Sequence, residues 1–329
     1  MEPGKSAEIQ FFGASVLHSK LRKDWHEVPQ ESQEQLKQKI LYGIGIFAGG
    51  PKIVLNRLCM SLGAFIVHML LESRTQPIEE VTNTFINDQI PNITRDVQNE
   101  ILVEILEGIP DEAHSVVSSV SRVKLHDMVG KCIPFVLQIC HHIDTRRAVK
   151  CIGTWIQNYG FPIEGSVSIT PILLQVVQKC YWHHGIMSAE ENELAESALK
   201  TLSAIIIQPS NSPQMVFGLI QMFLDGLSEI VKAEWEETKN ENLETLIYSL
   251  YVSSLEQHST LLINGITTDP DVFNLLKRIV HELMYCTEKP GNYPVEEKCS
   301  IKALPFWDIL QDKIRSIPSG DKGSTAWSS

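Results

Sequence analysis

Three groups of residues in this chain have types and spacings that chemistry uses. The first lies in LYGIGIFAGGPK, residues 41–52, where Gly43, Gly45 and Ala48 fit G-x-G-x-x-G/A. Such glycines cradle a dinucleotide pyrophosphate when a strand feeds a tight turn and a helix N-terminus follows. Here Leu36, Ile40, Leu41, Ile44 and Phe47 keep helical spacing through Gly43 and Gly45, so no strand precedes the motif. Lys52 lacks the hydroxyl neighbour and the spacer of a Walker loop. Gly49-Gly50 instead reads as a positive-φ helix stop, and Pro51 as the first turn of the next helix.

The second group is cysteine and histidine: Cys132, Cys140, His141, His142 and Cys151, then Cys180 with His183 and His184. Zinc needs four converging ligands, usually from close pairs on turns. These cysteines occupy or flank apolar stripes, where a thiol behaves as a small hydrophobe. The histidine pairs fall near expected helix ends, where imidazole can cap carbonyls. The third group, the Ser, His and acidic residues, shows no nucleophile elbow or zincin pattern. Catalysis, cofactor and metal are therefore not expected.

The elements that would position these residues are helices. Apolar steps of three and four run through Leu55, Leu58, Leu62, Phe65 and Met69, and through Ile93, Val97, Ile101 and Ile105. They recur at Leu125, Val129, Cys132, Val136 and Ile139, and at Ala148, Ile152, Trp155 and Tyr159. Two more stripes are Val216, Leu219, Phe223 and Leu227, and Phe273, Leu276, Val280 and Leu283. Pro29, Gly49–Pro51, Gln76-Pro77, Gly108–Asp111, Gly160–Pro162, Gly185, Pro209–Pro213 and Asp269-Pro270 punctuate them. Pro134 and Pro171 should bend or break the helices that hold them. Helices opening near 52, 93, 145, 191 and 242, each followed by a second, repeat at the period of HEAT and armadillo pairs. The expected fold is all-α, an α-solenoid of antiparallel helix pairs over 1–317, about six pairs plus one helix, with a disordered tail at 318–329.

Bulk properties agree. The chain has 329 residues, 43% of them hydrophobic and 21% charged, enough apolar content for a sizeable core. A net charge of -12 argues against nucleic acid as the main ligand and favours basic protein partners. Seven scattered cysteines, an odd number, read as reduced thiols of an intracellular chain. Leu62–Leu71 is too short to span a bilayer, and the polar start shows no secretory signal, so a soluble protein is expected. Without that signal the sequon Asn92-Ile93-Thr94 has no route to glycosylation. Glu234–Lys239, around Trp235, reads as a solvated helix end or an acidic partner surface.

Several strings resemble one family. EIQFFGASVLHSKL from Glu8, then Trp25, FAGGPKIVLNRLCMSLGAF, KCIGTWIQ at 150–157, CTEKPGNYPVEEKCS at 286–300 and FWDILQDKI at 306–314 are similar to karyopherin/importin-β nuclear transport receptors. The resemblance spans roughly residues 8 to 315 without a long gap. It implies the second to seventh HEAT repeats and one helix of the eighth, without the family's first repeat, as in a truncated product, isoform or fragment. It further implies a shuttling receptor of cytoplasm and nucleus that binds Ran-GTP, folded cargo with a basic surface and nucleoporins, and neither nucleic acid nor membrane. A helical interaction scaffold that binds cargo without Ran regulation remains open beside it.

Candidate contact residues come from the polar faces of inner helices. The helix 31–47 should bury Leu36, Ile40, Ile44 and Phe47 and turn Glu34 and Gln38 outward. The helix from Pro77 should bury Ile78, Val81 and Phe85, leaving Glu79, Glu80, Asn83 and Asn87 outward. A long helix near 123–142 should expose Asp127, Lys131 and Gln138. Plain solvation would also suit every one of these positions.

Overall fold

The computed structural model describes residues 4–316 except 73–75, 88–89, 91–92, 117–118, 144–145, 183–187, 233–240, 267–268, 290, 293–294 and 296–297. The expected tail, Glu234–Lys239, Asn92, Gly185, His183 and His184 lie outside the described residues. Those described form fifteen α-helices and three 3-10 turns, with no strand among them. They pack as two compact units, Met1–Phe161 and Pro162–Ser329.

In the first unit α1 (Ala7–Lys23), α3 (Lys52–Leu71), α5 (Arg95–Val116) and α8 (Arg146–Tyr159) lie side by side as one layer. A second layer sets α2 (Gln33–Phe47) on α3, α4 (Pro77–Ile86) on α5, and α7 (Ile133–His142) on α8. The helix α6 (Ser119–Gly130) touches α3, α5 and α8. The second unit opens with the short α9 (Ile163–Ser166). It repeats the scheme: α11 (Ala189–Ile206), α13 (Glu241–Ile266) and α15 (Leu304–Ser316) form one layer, and α10 (Thr170–Trp182), α12 (Pro213–Lys232) and α14 (Pro270–Thr287) the other. These are the tandem helix pairs expected from the sequence, and the expected starts near 52, 93, 145, 191 and 242 lie within two residues of observed ones.

Local chemistry sets the ends. Ser188 and Glu191 form a reciprocal capping box at α11, and Asp269 Oδ1 accepts the Asp271 N–H before Pro270 at α14. Gly160 closes α8 with φ 69° and its N–H on the Ile156 carbonyl. Pro171 falls in the first turn of α10, where a missing N–H costs nothing.

Four expectations change. Gly49 and Gly50 do not take positive φ; the Gly50 N–H closes an i,i+3 turn onto the Phe47 carbonyl, and Pro51 is the residue before α3 rather than its first turn. A Cβ at residue 50 would sit 3.3 Å from that carbonyl oxygen, so close approach explains the glycine. Gly108–Asp111 does not break a helix: Pro110 lies inside α5. It leaves the Leu106 carbonyl without its i+4 donor, and Trp155 Nε1 of α8, fully buried, donates to that oxygen at 2.8 Å. In α14 the buried stripe is Val272, Leu275, Ile279 and Leu283, while Phe273 is exposed. Finally, α3 and α12 are each long and apolar enough to cross a membrane. Two-thirds and half of their apolar windows, respectively, are buried within the protein, as core helices are.

Polar contacts, several of them buried, key neighbouring helices of one layer together. His18 Nε2 meets Glu112 Oε1 at 2.8 Å, Arg57 Nη1 lies 3.3 Å from His18 Nδ1, and Arg22 Nε lies 3.6 Å from Glu112 Oε2. This joins α1, α3 and α5. Trp25, just after α1, stacks on His68 at 4.6 Å and donates to Glu72 Oε1 at 2.8 Å. In the second unit His258 Nε2 donates to the Ile206 carbonyl at 2.8 Å, capping α11 from α13.

Candidate functional site

The nine candidate residues lie on the second layer of the first unit, on α6 beside it, or, for Asn87 and Lys131, just past the ends of α4 and α6. Ile40, Ile44 and Phe47 are buried on one stripe of α2, with Leu36 half-buried, so Glu34 and Gln38 project from the opposite side. Pro77 starts α4, and Ile78, Val81 and Phe85 are buried. That stripe leaves Glu80, Asn83 and Asn87 exposed and Glu79 half-buried.

The structure joins the two helices through a residue that the sequence did not single out. Lys37 Nζ lies 2.8 Å from Glu34 Oε2 and 3.4 Å from Glu80 Oε2. Gln38 Nε2 donates to Glu34 Oε1 at 2.9 Å. Burial raises the Glu34 carboxyl, but the hydrogen bonds from Gln38 and Lys37 and the Lys37 charge outweigh it and leave its pKa lowered. The face is thus a mixed array, two carboxylates held by one ammonium, rather than bare negative charge. Below it Gln30, Gln33, Lys37 and Glu80 rim a notch of about 110 Å³ floored by Phe65 and Val81.

The expected long helix is two helices. Its ladder ends at Gly130, the Cys132 N–H turns back to the Val129 carbonyl, and Pro134 sits in the first turn of α7. Asp127, Lys131 and Gln138 are exposed as expected, but Asp127 and Lys131 pair with each other at 2.6 Å, one turn apart. Glu79 reaches this junction: burial, then the nearby Glu79 charge, raises the Cys132 thiol. So Glu34, Gln38 and Glu80 form one cluster, Glu79 borders the α6–α7 junction, and Asn83, Asn87 and Gln138 are exposed neighbours on their own helices.

The glycine motif lies on α2, from which a Cβ at residue 43 would meet Leu58 and one at residue 45 would meet Ile90. The Cys140 and Cys151 thiols face each other across α7 and α8; burial, then Cys140, raises the Cys151 thiol. His141 packs edge-on to His142 at the end of α7. Among the described residues no group of three His, Cys, Asp or Glu could hold a metal ion.

Comparisons with known proteins place this arrangement. The importin-beta N-terminal domain family matches residues 1–45. Importin-13 of Mus musculus and of Homo sapiens are each 27% identical over 96% of this chain, which spans 32% of their length. A solved structure described as importin13 in a cytosolic state superposes with a TM-score of 0.79 at 49% identity, over 95% of this chain and 35% of that one. The chain therefore resembles an importin-13-type karyopherin along nearly its whole length, while spanning about a third of those relatives.

Proposed function

We propose that this chain is the Ran- and cargo-engaging part of a nuclear transport receptor, acting as a binding surface rather than an enzyme and shuttling between cytoplasm and nucleus. The observation that carries it is the match to the importin13 structure, which covers 95% of this chain rather than one motif. Its partners on this reading are Ran-GTP, folded cargo with a basic surface, and nucleoporins. The geometry adds a mechanism. Glu34, Glu79 and Glu80 stand on adjacent helices of an open layer and would meet basic residues on Ran. Lys37 competes for Glu34 and Glu80, so docking must exchange an internal ion pair for an external one. Exposed charges of this kind set on-rate and salt dependence more than affinity.

Reversal at Glu79→Lys with Glu80→Lys should weaken Ran-GTP binding, most at low ionic strength, with an unchanged helical signal. Lys37→Ala, which frees both carboxylates, should strengthen it. Calorimetric titration of the three chains at two salt concentrations tests this. If all three bind Ran-GTP alike, the site is misplaced, and a cargo scaffold without Ran regulation becomes the better account.

A further inference from the structure

Burial pushes the Cys59 thiol up to about 12 and raises Cys132 and Cys151, as befits structural thiols that stay protonated. Cys299 of the second unit is equally buried, at 1% exposure, but its surroundings are polar. Its Sγ lies 3.8 Å from Glu244 Oε2, 3.5 Å from Thr245 Oγ1 and 4.0 Å from Lys289 Nζ, which pairs with the same Glu244 oxygen. Glu244 and Thr245 stand at the start of α13, Lys289 follows α14, and Cys299 precedes the 3-10 turn Ser300–Ala303. Cys286 Sγ, at the end of α14, donates to the Cys299 carbonyl at 3.2 Å and fixes its position. Lys289 Nζ also lies 5.9 Å from the centre of the Tyr248 ring. The Tyr248 hydroxyl is buried with no hydrogen-bond partner, and its proton is held by burial first, then by the Cys286, Glu244 and Cys299 side chains.

A thiol set among a carboxylate, an ammonium and hydroxyls has what reaction with peroxide requires: a proton acceptor, a cation beside the thiolate, and donors for the oxygen that arrives. We propose that Cys299 is an oxidation site, at which hydrogen peroxide converts the thiol to a sulfenic acid. The thiol proton passes to Glu244, the sulfur attacks one peroxide oxygen, the O–O bond breaks, and the departing hydroxide takes that proton as water. One thiol and one peroxide give one sulfenic acid and one water; the sulfur loses two electrons and the peroxide gains them. The 4.0 Å between Sγ and Lys289 Nζ leaves room for one bonded oxygen that accepts from the ammonium at about 2.8 Å. The Tyr248 hydroxyl supplies a second donor, and the new oxygen gives that buried group the partner it lacks. Lys298 and Ile301, close by in the chain, are exposed, so local opening of this turn admits a small neutral oxidant.

The full chain is exposed to hydrogen peroxide for timed intervals, quenched with catalase and unfolded in urea containing dimedone, so that burial hides no product. Peptide mass spectrometry then follows the dimedone adduct at each cysteine. Cys299 should react at least about tenfold faster than Cys59 and Cys151, whose thiols stay protonated. The paired variant Lys289→Met with Glu244→Gln leaves neither charge alone. It should cut the Cys299 advantage to about threefold or less with an unchanged far-UV dichroism signal. The comparison of cysteines within the unaltered chain decides the matter even where the variant folds poorly. Equal rates at Cys299, Cys59 and Cys151, or reaction at Cys299 only after urea has unfolded the chain, would overturn the proposal. So would an undiminished Cys299 rate in the folded paired variant.

Discussion

Trp155→Phe, tested with and without Pro110, probes how one helix is keyed to the next. Pro110 has no N–H, so the Leu106 carbonyl depends on the Trp155 indole, 2.8 Å away and 49 positions along the chain. Phenylalanine keeps an aromatic ring in the buried site but removes the donor. Leaving a buried carbonyl unsatisfied costs about 1–3 kcal/mol, roughly 5- to 150-fold in the unfolding constant. Loss of ring volume adds to this. Pro110→Ala separates the two terms, because alanine at 110 returns an N–H one turn from Leu106. Trp155→Phe should then cost about 1 kcal/mol or more less than it does beside proline, the coupling expected of residues sharing one partner. Urea unfolding followed by far-UV dichroism measures all four chains without relying on the altered tryptophan. Equal costs in both backgrounds would show that packing alone holds the ring and that the carbonyl argument is wrong.

Other perturbations read the same layers. Glu112→Ala removes the carboxylate facing both His18 and Arg22 and should lower stability by about 3 kcal/mol, checked by urea titration. Gly265→Ala puts a Cβ 2.8 Å from Val272 Cγ1 and should cost about 1–3 kcal/mol. Gly218→Ala in α12 meets nothing within 4 Å and should stabilise by about 0.5–1 kcal/mol; their melting temperatures should move in opposite directions. Burial lowers both His68 and His258 below the ordinary 6.5, against the raising effect of their backbone hydrogen bonds. The unfolded imidazoles take up protons first, so this stability is complete above pH 6.5 and is lost as pH falls through the lower folded values. His258→Gln should flatten that acid slope in melting temperature measured against pH.

Helix existence and pairing were legible because the stripes are long and the breaks short. The glycine turn at 49–50 and the break at 131–132 were settled locally, by i,i+3 closures onto Phe47 and Val129, but the misses at Pro110 and in α14 were settled by contacts distant in sequence. Nothing near Pro110 announces that Trp155 will take the Leu106 carbonyl, so a proline that normally ends a helix is tolerated inside α5. In α14 the pairs Val272-Phe273, Leu275-Leu276 and Ile279-Val280 put apolar residues on two adjacent stripes, and only packing against α13 and α12 selects one. Exposure of Glu34, Gln38, Glu80, Asn83, Asn87, Asp127, Lys131 and Gln138 followed from periodicity, whereas Glu79, expected outward, is half-buried beside Cys132. The bridge from Lys37 to Glu80 did not follow from it, since it crosses 43 positions.

The most direct test of the central claim is the affinity of this chain for Ran loaded with GTP against Ran loaded with GDP, by calorimetry at physiological ionic strength. The account predicts measurable binding to the GTP form, at least about tenfold tighter than to the GDP form and reduced by the Glu79→Lys, Glu80→Lys reversal. Equal affinity for the two forms, or none for either, would contradict it.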